Sequence, residues 1–434
     1  MNTRIIRRLR GRRVRPLAAG ALALATVVVL SGCGFVNTGE GDGGEGGAIT
    51  TYTSPEQNTG LEALYEAFEE ESGTAVDPSF AAAEELNQQL RVQLTSGTAA
   101  DLIRVSPGFS SPVSAGVLGT EGELADLSDT EWAERIDDGT RVLAEADGTL
   151  VAYPVGRNSI VMAYNIEVFE ELGLEPPTTW TELIAACDAL QAAGKTPIAA
   201  GLTGGVYLQF FVYALAGTLV YGPESDIDAQ MRAGETGFAD EPAWQEVFDK
   251  LLALSGYFTP DSLGVPADQA QQALARGDAG MTMLVSAGLP QLYDYAGEGQ
   301  DAFGVFAMPA NDDASSTLLP TAPDFVAVNA SSPRIDKAKE LLEFLAQPEN
   351  VEAYASALGV LPGISEGAEV ESSPLDPVLP LVDEGRTAPY ANYLWPNGDT
   401  QQTLLQSGQQ LLSGEIDVPT LLGLLDDQYQ KGEG

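Results

Sequence analysis

Four short patterns in this chain have the residue types that could do chemistry. Gly39-x-Gly41-x-x-Gly44 matches a dinucleotide-binding fingerprint, which cradles a pyrophosphate on backbone N–H groups at a helix start. It lies in the acid and glycine stretch NTGEGDGGEGG, with no strand before it. Gly194-Lys195-Thr196 ends like a phosphate loop, but Ala189 stands where the upstream glycine must be, and a helix ends there where one must begin. Gly363-Ile364-Ser365-Glu366-Gly367 has the spacing of a serine nucleophile elbow, yet the chain contains no histidine to take the proton. The same absence excludes a Cys–His pair and any histidine-ligated metal within the chain. Carboxylate pairs such as Asp312 and Asp313 could serve glycoside hydrolysis, but 63 acidic residues make such pairs commonplace. No cofactor and no metal is expected.

The elements that would position any site belong to a chain long enough for two lobes, at 434 residues. An apolar share of 44% supports real cores. Seven of the 21 basic residues are arginines among the first fifteen positions, so the chain from Cys33 onward carries 14 bases against 63 acids, a formal charge of −49. Such a surface repels phosphate backbones and argues against nucleic acid as a partner. The arginine-rich start and the apolar run Leu17 to Leu30 have the form of an export signal. As a helix that run spans about 21 Å, short of the roughly 30 Å hydrocarbon layer. LSGC at 30–33 resembles the bacterial lipobox, which implies that residues 1–32 are removed and Cys33 carries lipid. Residues 33–48 then form a lipidated, flexible tether rich in glycine and acid. The protein is expected at the outer face of the cell membrane, held there by its lipid alone.

Beyond the tether, AITTY reads as a strand, and Leu61, Leu64, Tyr65 and Phe68 mark one face of a helix ended by Gly73. TAVDPSF and DLIRVSP read as further strands, with a helix between them along Leu86, Leu90 and Leu94. The alternation predicts a parallel α/β sheet. TLVAYPVGRNSIVMAYN reads as strand, turn and strand. Thr179 and Glu182 form a capping box before a helix whose apolar face holds Trp180 and Cys187, the latter a buried structural thiol. EPAWQEVFDKLLALSG reads as a helix, AGMTMLV as a strand, and Ile335 to Leu345 as a long helix.

In ensemble these stretches resemble a family. GTLVAYPVGRNSIVMAYNIEVFEELGLEPPTTWTELIAACDAL is similar to the central segment of the extracellular solute-binding proteins of sugar-type ABC importers, in the maltodextrin-binding superfamily. Tyr153-Pro154, Tyr164-Asn165, Phe169, Gly173-Leu174, Pro177 and Thr179-Trp180 carry the pattern. SGTAADLIRVSPG, ARGDAGMTMLVSAG and PDFVAVNASSPRIDKAKELLEFLAQPENVEAYASALGVLPGI extend it. Ala100 replaces the usual proline, and Ala287-Gly288 lacks the usual tryptophan.

The resemblance implies a two-lobe, α/β, periplasmic-binding-protein-like fold of type II with the ligand cleft between the lobes. It implies lobe one at 49–155 plus 322–361 and lobe two at 156–321 plus 362–434, with hinge crossings near Val155-Gly156, Thr321 and Pro362. A monomer capturing a sugar and passing it to ABC permease transmembrane subunits is the implied role. The alternatives are a surface-anchored carbohydrate hydrolase and a sugar sensor or scaffold lipoprotein.

A sugar cleft needs aromatic faces and polar side chains. By resemblance, the candidates begin at the first helix with Ser54, Glu56 and Gln57, where Glu56 either meets ligand or complements the helix dipole. Ser106 and Phe109 follow the third strand at its carboxyl end. Arg157 and Asn158 sit at the first crossing, Arg157 either on ligand or on a carboxylate. Tyr207 and Phe210 lie in GVYLQFFVYAL, Ser286 follows AGMTMLV, and Asp324 follows the second crossing. In TAPYANYLWPNG, Tyr390 and Tyr393 cluster with Trp395, the leading stacking candidate.

Overall fold

A computed structural model describes residues 47–433, apart from 82, 223–224, 298 and 365–372. The expected export signal, Cys33 and the tether up to residue 46 lie outside the described residues. Twelve strands are present: β1 (Ile49–Thr53), β2 (Val76–Phe80), β3 (Leu102–Val105), β4 (Glu145–Ala146), β5 (Thr149–Leu150), β6 (Tyr153–Asn165), β7 (Thr196–Ala199), β8 (Ala279–Val285), β9 (Phe303–Phe306), β10 (Leu319–Val328), β11 (Leu361–Pro362) and β12 (Thr387–Pro389). Ten of them join one sheet whose main path runs β2-β1-β3-β10-β6-β8-β7, while β4 and β5 form a separate hairpin.

The first three strands are parallel, as the local alternation predicts, but the sheet is mixed. β10 runs antiparallel to both β3 and β6, and β6 runs antiparallel to β8, β9 and β11. Alternation along the sequence reports only connections between neighbours. Here distant segments return and insert the opposite way. The expected break within Thr149–Asn165 is also absent after Tyr153: thirteen residues form the continuous strand β6. Its pairing with β10 steps from Asp324↔Gly156 to Phe325↔Pro154, leaving a bulge at Val155.

Local chemistry sets the helix ends. Ser54 caps the Pro55–Ser72 helix in a reciprocal box with Gln57, and Gly73 closes it in the left-handed conformation. Thr179 and Glu182 make the same box on Trp180–Ala192. Three large apolar clusters are buried, with a small fourth at Ala199, Ala270 and Ala279. One draws on residues 49–155 and 325–364 with Leu394, and a second on 160–322 and 390–429. The third uses the opposite face of β6, so Ile160 and Met162 enter one cluster while Val161 and Ala163 enter the other. Cys187 is fully buried, and burial pushes its thiol up to about 12, which keeps it an inert apolar group. Trp132 is also core, edge-on to Tyr153 at 4.8 Å.

Asp101 shows how the first cluster tolerates a charge. It accepts from Thr50 N and Oγ1 at 2.8 Å, Ser332 Oγ at 2.6 Å and Arg334 Nε at 3.0 Å. Burial alone would raise its carboxyl; the hydrogen bonds outweigh that and hold it below the ordinary value. A depressed folded value adds stability above the unfolded one, about 3.9, and that share disappears as pH falls through the folded value. Asp101→Asn should therefore cost about 2 kcal/mol at neutral pH, with the difference from wild type shrinking below pH 3 in urea titrations.

Candidate functional site

β6 and β10 lie side by side where the chain passes between the two large cores, and β11 pairs with β6 at the same level. Thr321 faces Ser159, and Pro362 faces Gly156, so the three expected crossings are adjacent in the sheet. Along β6 neighbouring side chains alternate in direction. Gly156 and Asn158 share one face, and Arg157 takes the other. That alternation separates two residues that sequence reasoning had paired.

On the Asn158 face lies a cavity of about 310 Å³. Strands supply its floor: Arg104 from β3, Asn158 from β6, and Ala322, Pro323 and Asp324 from β10. One wall is the Val206–Leu219 helix, through Gln209, Phe210 and Tyr213. The adjoining wall is the 390–401 segment, through Tyr390, Asn392, Tyr393 and Gln401. The aromatic rings form a continuous panel. Tyr390 and Tyr393 stack at 5.8 Å and 7°, Tyr213 lies 6.0 Å from Tyr390, and Phe210 lies 6.5 Å from it. Burial raises the phenols of Tyr213, Tyr390 and Tyr393 above their ordinary value, so each stays a neutral O–H.

Polar groups on this cavity are partly uncommitted. Asn158 Oδ1, Asn392 Oδ1 and Tyr390 OH are buried without a hydrogen-bond partner among the described residues. Gln209 Oε1 accepts from Tyr213 OH at 3.0 Å and from Gln401 Nε2 at 2.8 Å, which orients the amide. Arg104 and Asp324 form an ion pair at 3.5 Å. Neutral rings, amides and one internally balanced ion pair suit an uncharged ligand rich in hydroxyl groups. Among the described residues no group of three or more Cys, Asp or Glu side chains is placed to hold a metal ion.

Of the sequence-derived candidates, Asn158, Phe210, Asp324, Tyr390 and Tyr393 line this cavity. Others are occupied elsewhere. Ser54 Oγ accepts from Gln57 N, and Gln57 Nε2 donates to Phe325 O at 3.4 Å, so both buried side chains are spent on the helix cap and the sheet. Glu56 is in that first helical turn, but its side chain lies outside the described residues. Ser286 is fully buried, and its Oγ accepts from Ser159 N at 3.1 Å. Ser106 bridges Ser114 through the backbone. Phe109 rests on Gly116 with the Arg232 guanidinium 5.8 Å from its ring, outside the cavity lining. Tyr207 sits edge-on behind Phe210 at 5.3 Å.

Two corrections are larger. Trp395 has no exposed surface: Tyr213, Phe238 and Trp244 enclose it, and its indole N–H donates to Tyr221 OH at 3.2 Å. The 3₁₀ turn at Ala391–Tyr393 puts Tyr390 and Tyr393 on the cavity and carries Trp395 into the core. Arg157 is buried on the reverse face, with Nη1 on Asp137 Oδ2 at 3.0 Å and Nε donating to Pro362 O at 2.9 Å. Of its two open readings, the carboxylate partner is the one present.

Arg104, Gln209, Tyr213, Asn392 and Gln401 were not anticipated. Gln209 had a visible signal, as the lone amide in the apolar run VYLQFFVYAL. Gly108 joins the loop after β3 to the 390s loop. Its φ is +60°, and a Cβ there would stand 2.2 Å from Tyr393 O.

Residues 52–352 match the family described as bacterial extracellular solute-binding protein. The chain belongs to that family. Its members are substrate-binding proteins that work outside the cytoplasm, and this chain has their two-lobe fold with the ligand cleft between the lobes. It is 22% identical over 248 residues to the melibiose/raffinose/stachyose-binding protein MelE of Bacillus subtilis, covering 56% of this chain and 57% of MelE. It is 26% identical over 228 residues to the sn-glycerol-3-phosphate-binding periplasmic protein UgpB of Escherichia coli K12, covering 50% of this chain and 49% of UgpB. The chain thus matches about half the length of these relatives. A sugar transporter from Bacillus licheniformis, solved with stachyose, superposes with a TM-score of 0.66 at 20% identity, over 89% of this chain and all of that one.

Proposed function

We propose that this chain is the substrate-binding lipoprotein of an ABC importer, capturing a carbohydrate by hinge closure and presenting it to the membrane permease. One observation carries the reading: an aromatic panel and buried, unpartnered amide and phenol oxygens line one cavity beside the strands that connect the two cores. Rings stack on the C–H faces of a sugar, while amides and phenols exchange hydrogen bonds with its hydroxyls. The relatives named for melibiose, raffinose and stachyose point the same way. Under this reading lobe one is 49–155 plus 322–361, lobe two is 156–321 plus 362–434, and the bulge at Val155 with its neighbours at Thr321 and Pro362 forms the hinge. Closure is a population shift, driven by a solute that touches both lobes only when shut. Cys33 anchors the protein to the outer face of the membrane.

Capture without hydrolysis is favoured by the cavity's acids. Hydrolysis needs two carboxyl groups across the scissile bond. Among the described residues lining the cavity, Asp324 is the one carboxylate, and Arg104 neutralises it. The test is a thermal-shift screen of the full chain against mono-, di- and oligosaccharides, followed by chromatography of the recovered ligand. A raised melting point with a Kd of about 1 μM, roughly −8 kcal/mol, and unchanged sugar is expected. No shift with any carbohydrate would end the sugar assignment; shortened products would replace it with hydrolysis.

A further inference from the structure

Beside the aromatic cavity lies a second chamber of about 250 Å³. The two share Asn158, Ala287 and Asp324, and otherwise differ in character. Where the first is walled by phenols and amides, the second is walled by Pro290, Tyr354, Ala357, Leu358 and Val360, with the Gly156 backbone at its base. Its polar side chains are the two at the shared boundary and the Tyr354 phenol. The Tyr354 ring cannot move aside. It is wedged between Gly60 and Gly156, where an added Cβ would lie 2.7 and 2.8 Å from ring carbons. Its hydroxyl is buried and has no hydrogen-bond partner among the described residues.

A second sugar ring would bury its hydroxyls against these apolar walls with few partners, a cost no contact there repays. An aromatic ring would not. A cavity of about 150 Å³ suffices for benzene, so this chamber has room for a substituted ring. We infer that the cleft is built for a glycoside: the sugar lies in the aromatic cavity, and an aromatic aglycone passes between Asn158 and Asp324 into the apolar chamber. This assignment rests on the carbohydrate reading above and narrows its substrate class.

The experiment titrates the purified full-length protein calorimetrically with matched pairs, the methyl and the phenyl glycosides of glucose, galactose and xylose. For the sugar that binds, the phenyl glycoside should bind at least about tenfold tighter than its methyl counterpart. Ala357→Phe, which fills the chamber from an exposed helix position, should reduce that ratio to about twofold or less. Leu358→Ser, which makes the wall polar, should lower it in the same direction. Equal affinities for methyl and phenyl glycosides would overturn the aglycone assignment and leave sugar capture standing. A phenyl preference untouched by both variants would also overturn it, by placing the ring elsewhere. Binding of neither glycoside, for any of the three sugars, would overturn the aglycone assignment, while the wider carbohydrate screen decides sugar capture separately.

Discussion

Tyr393→Ala should weaken carbohydrate binding at least about thirtyfold, roughly 2 kcal/mol, while leaving the fold intact. The ring is partly buried, lies on the cavity wall, and stacks parallel to the buried Tyr390. Removing it takes away a flat apolar surface and uncovers the panel behind it. A ring held by a neighbour on one face offers the other at little entropic cost, which is how a few aromatic side chains come to dominate binding energy. Tyr393→Phe keeps the ring and loses only the hydroxyl, so it should remain within about threefold of wild type. Calorimetric titration of both variants, with melting curves run alongside, separates the roles. If the alanine variant binds normally, the sugar does not lie against this panel.

The second large effect concerns stability. Asp137→Ala should cost about 3 kcal/mol in urea unfolding, because it removes the carboxylate paired with a buried guanidinium. The Arg157 side chain is 3% exposed and meets the Asp137 carboxylate at 3.0 Å, while burial pulls the guanidinium below its ordinary value and Asp137 offsets part of that. Asp137 is itself 45% exposed, which tempers the figure. The same carboxylate caps the Asp138–Ala144 helix, accepting from Thr140 N at 3.0 Å and Thr140 Oγ1 at 2.9 Å. Asp137→Ser retains a cap, worth about 1 kcal/mol, and lacks the ion pair. The difference between the two variants isolates the cap; what serine still loses is the ion pair. Arg157 also holds Pro362 O, so it ties the first crossing to the third and to a helix of the first core. A serine variant as stable as wild type would show that this tie contributes nothing.

Much of this architecture could be read directly from residue order. The capping signals at Gly73, Thr179 and Glu182 act within one turn of helix, and each is used as expected. The early β-α-β alternation likewise depends on neighbours, and β1, β2 and β3 are parallel. Family membership was also legible, since many weak local signals at fixed spacings add up. The site was legible only in part. Asn158 and Asp324 adjoin recognisable crossings and Phe210 lies in a recognisable aromatic segment, and all three line the cavity; Arg157 stayed open between ligand and carboxylate because the strand reads as broken there, and only the continuous strand turns it to the opposite side from Asn158.

By itself, then, the order of residues determined most local elements, several of their caps, the acidic composition and the family, because each arises from short-range geometry or composition. Which rings of TAPYANYLWPNG line the cavity was decided by tertiary structure alone. A single 3₁₀ turn directs Tyr390 and Tyr393 to the cavity and buries Trp395 among rings from positions 213, 238 and 244. The same holds for the cavity itself, whose walls come from segments nearly three hundred residues apart. Their meeting is set by the packing of β10 against β6, not by any stretch of sequence that could be read in isolation.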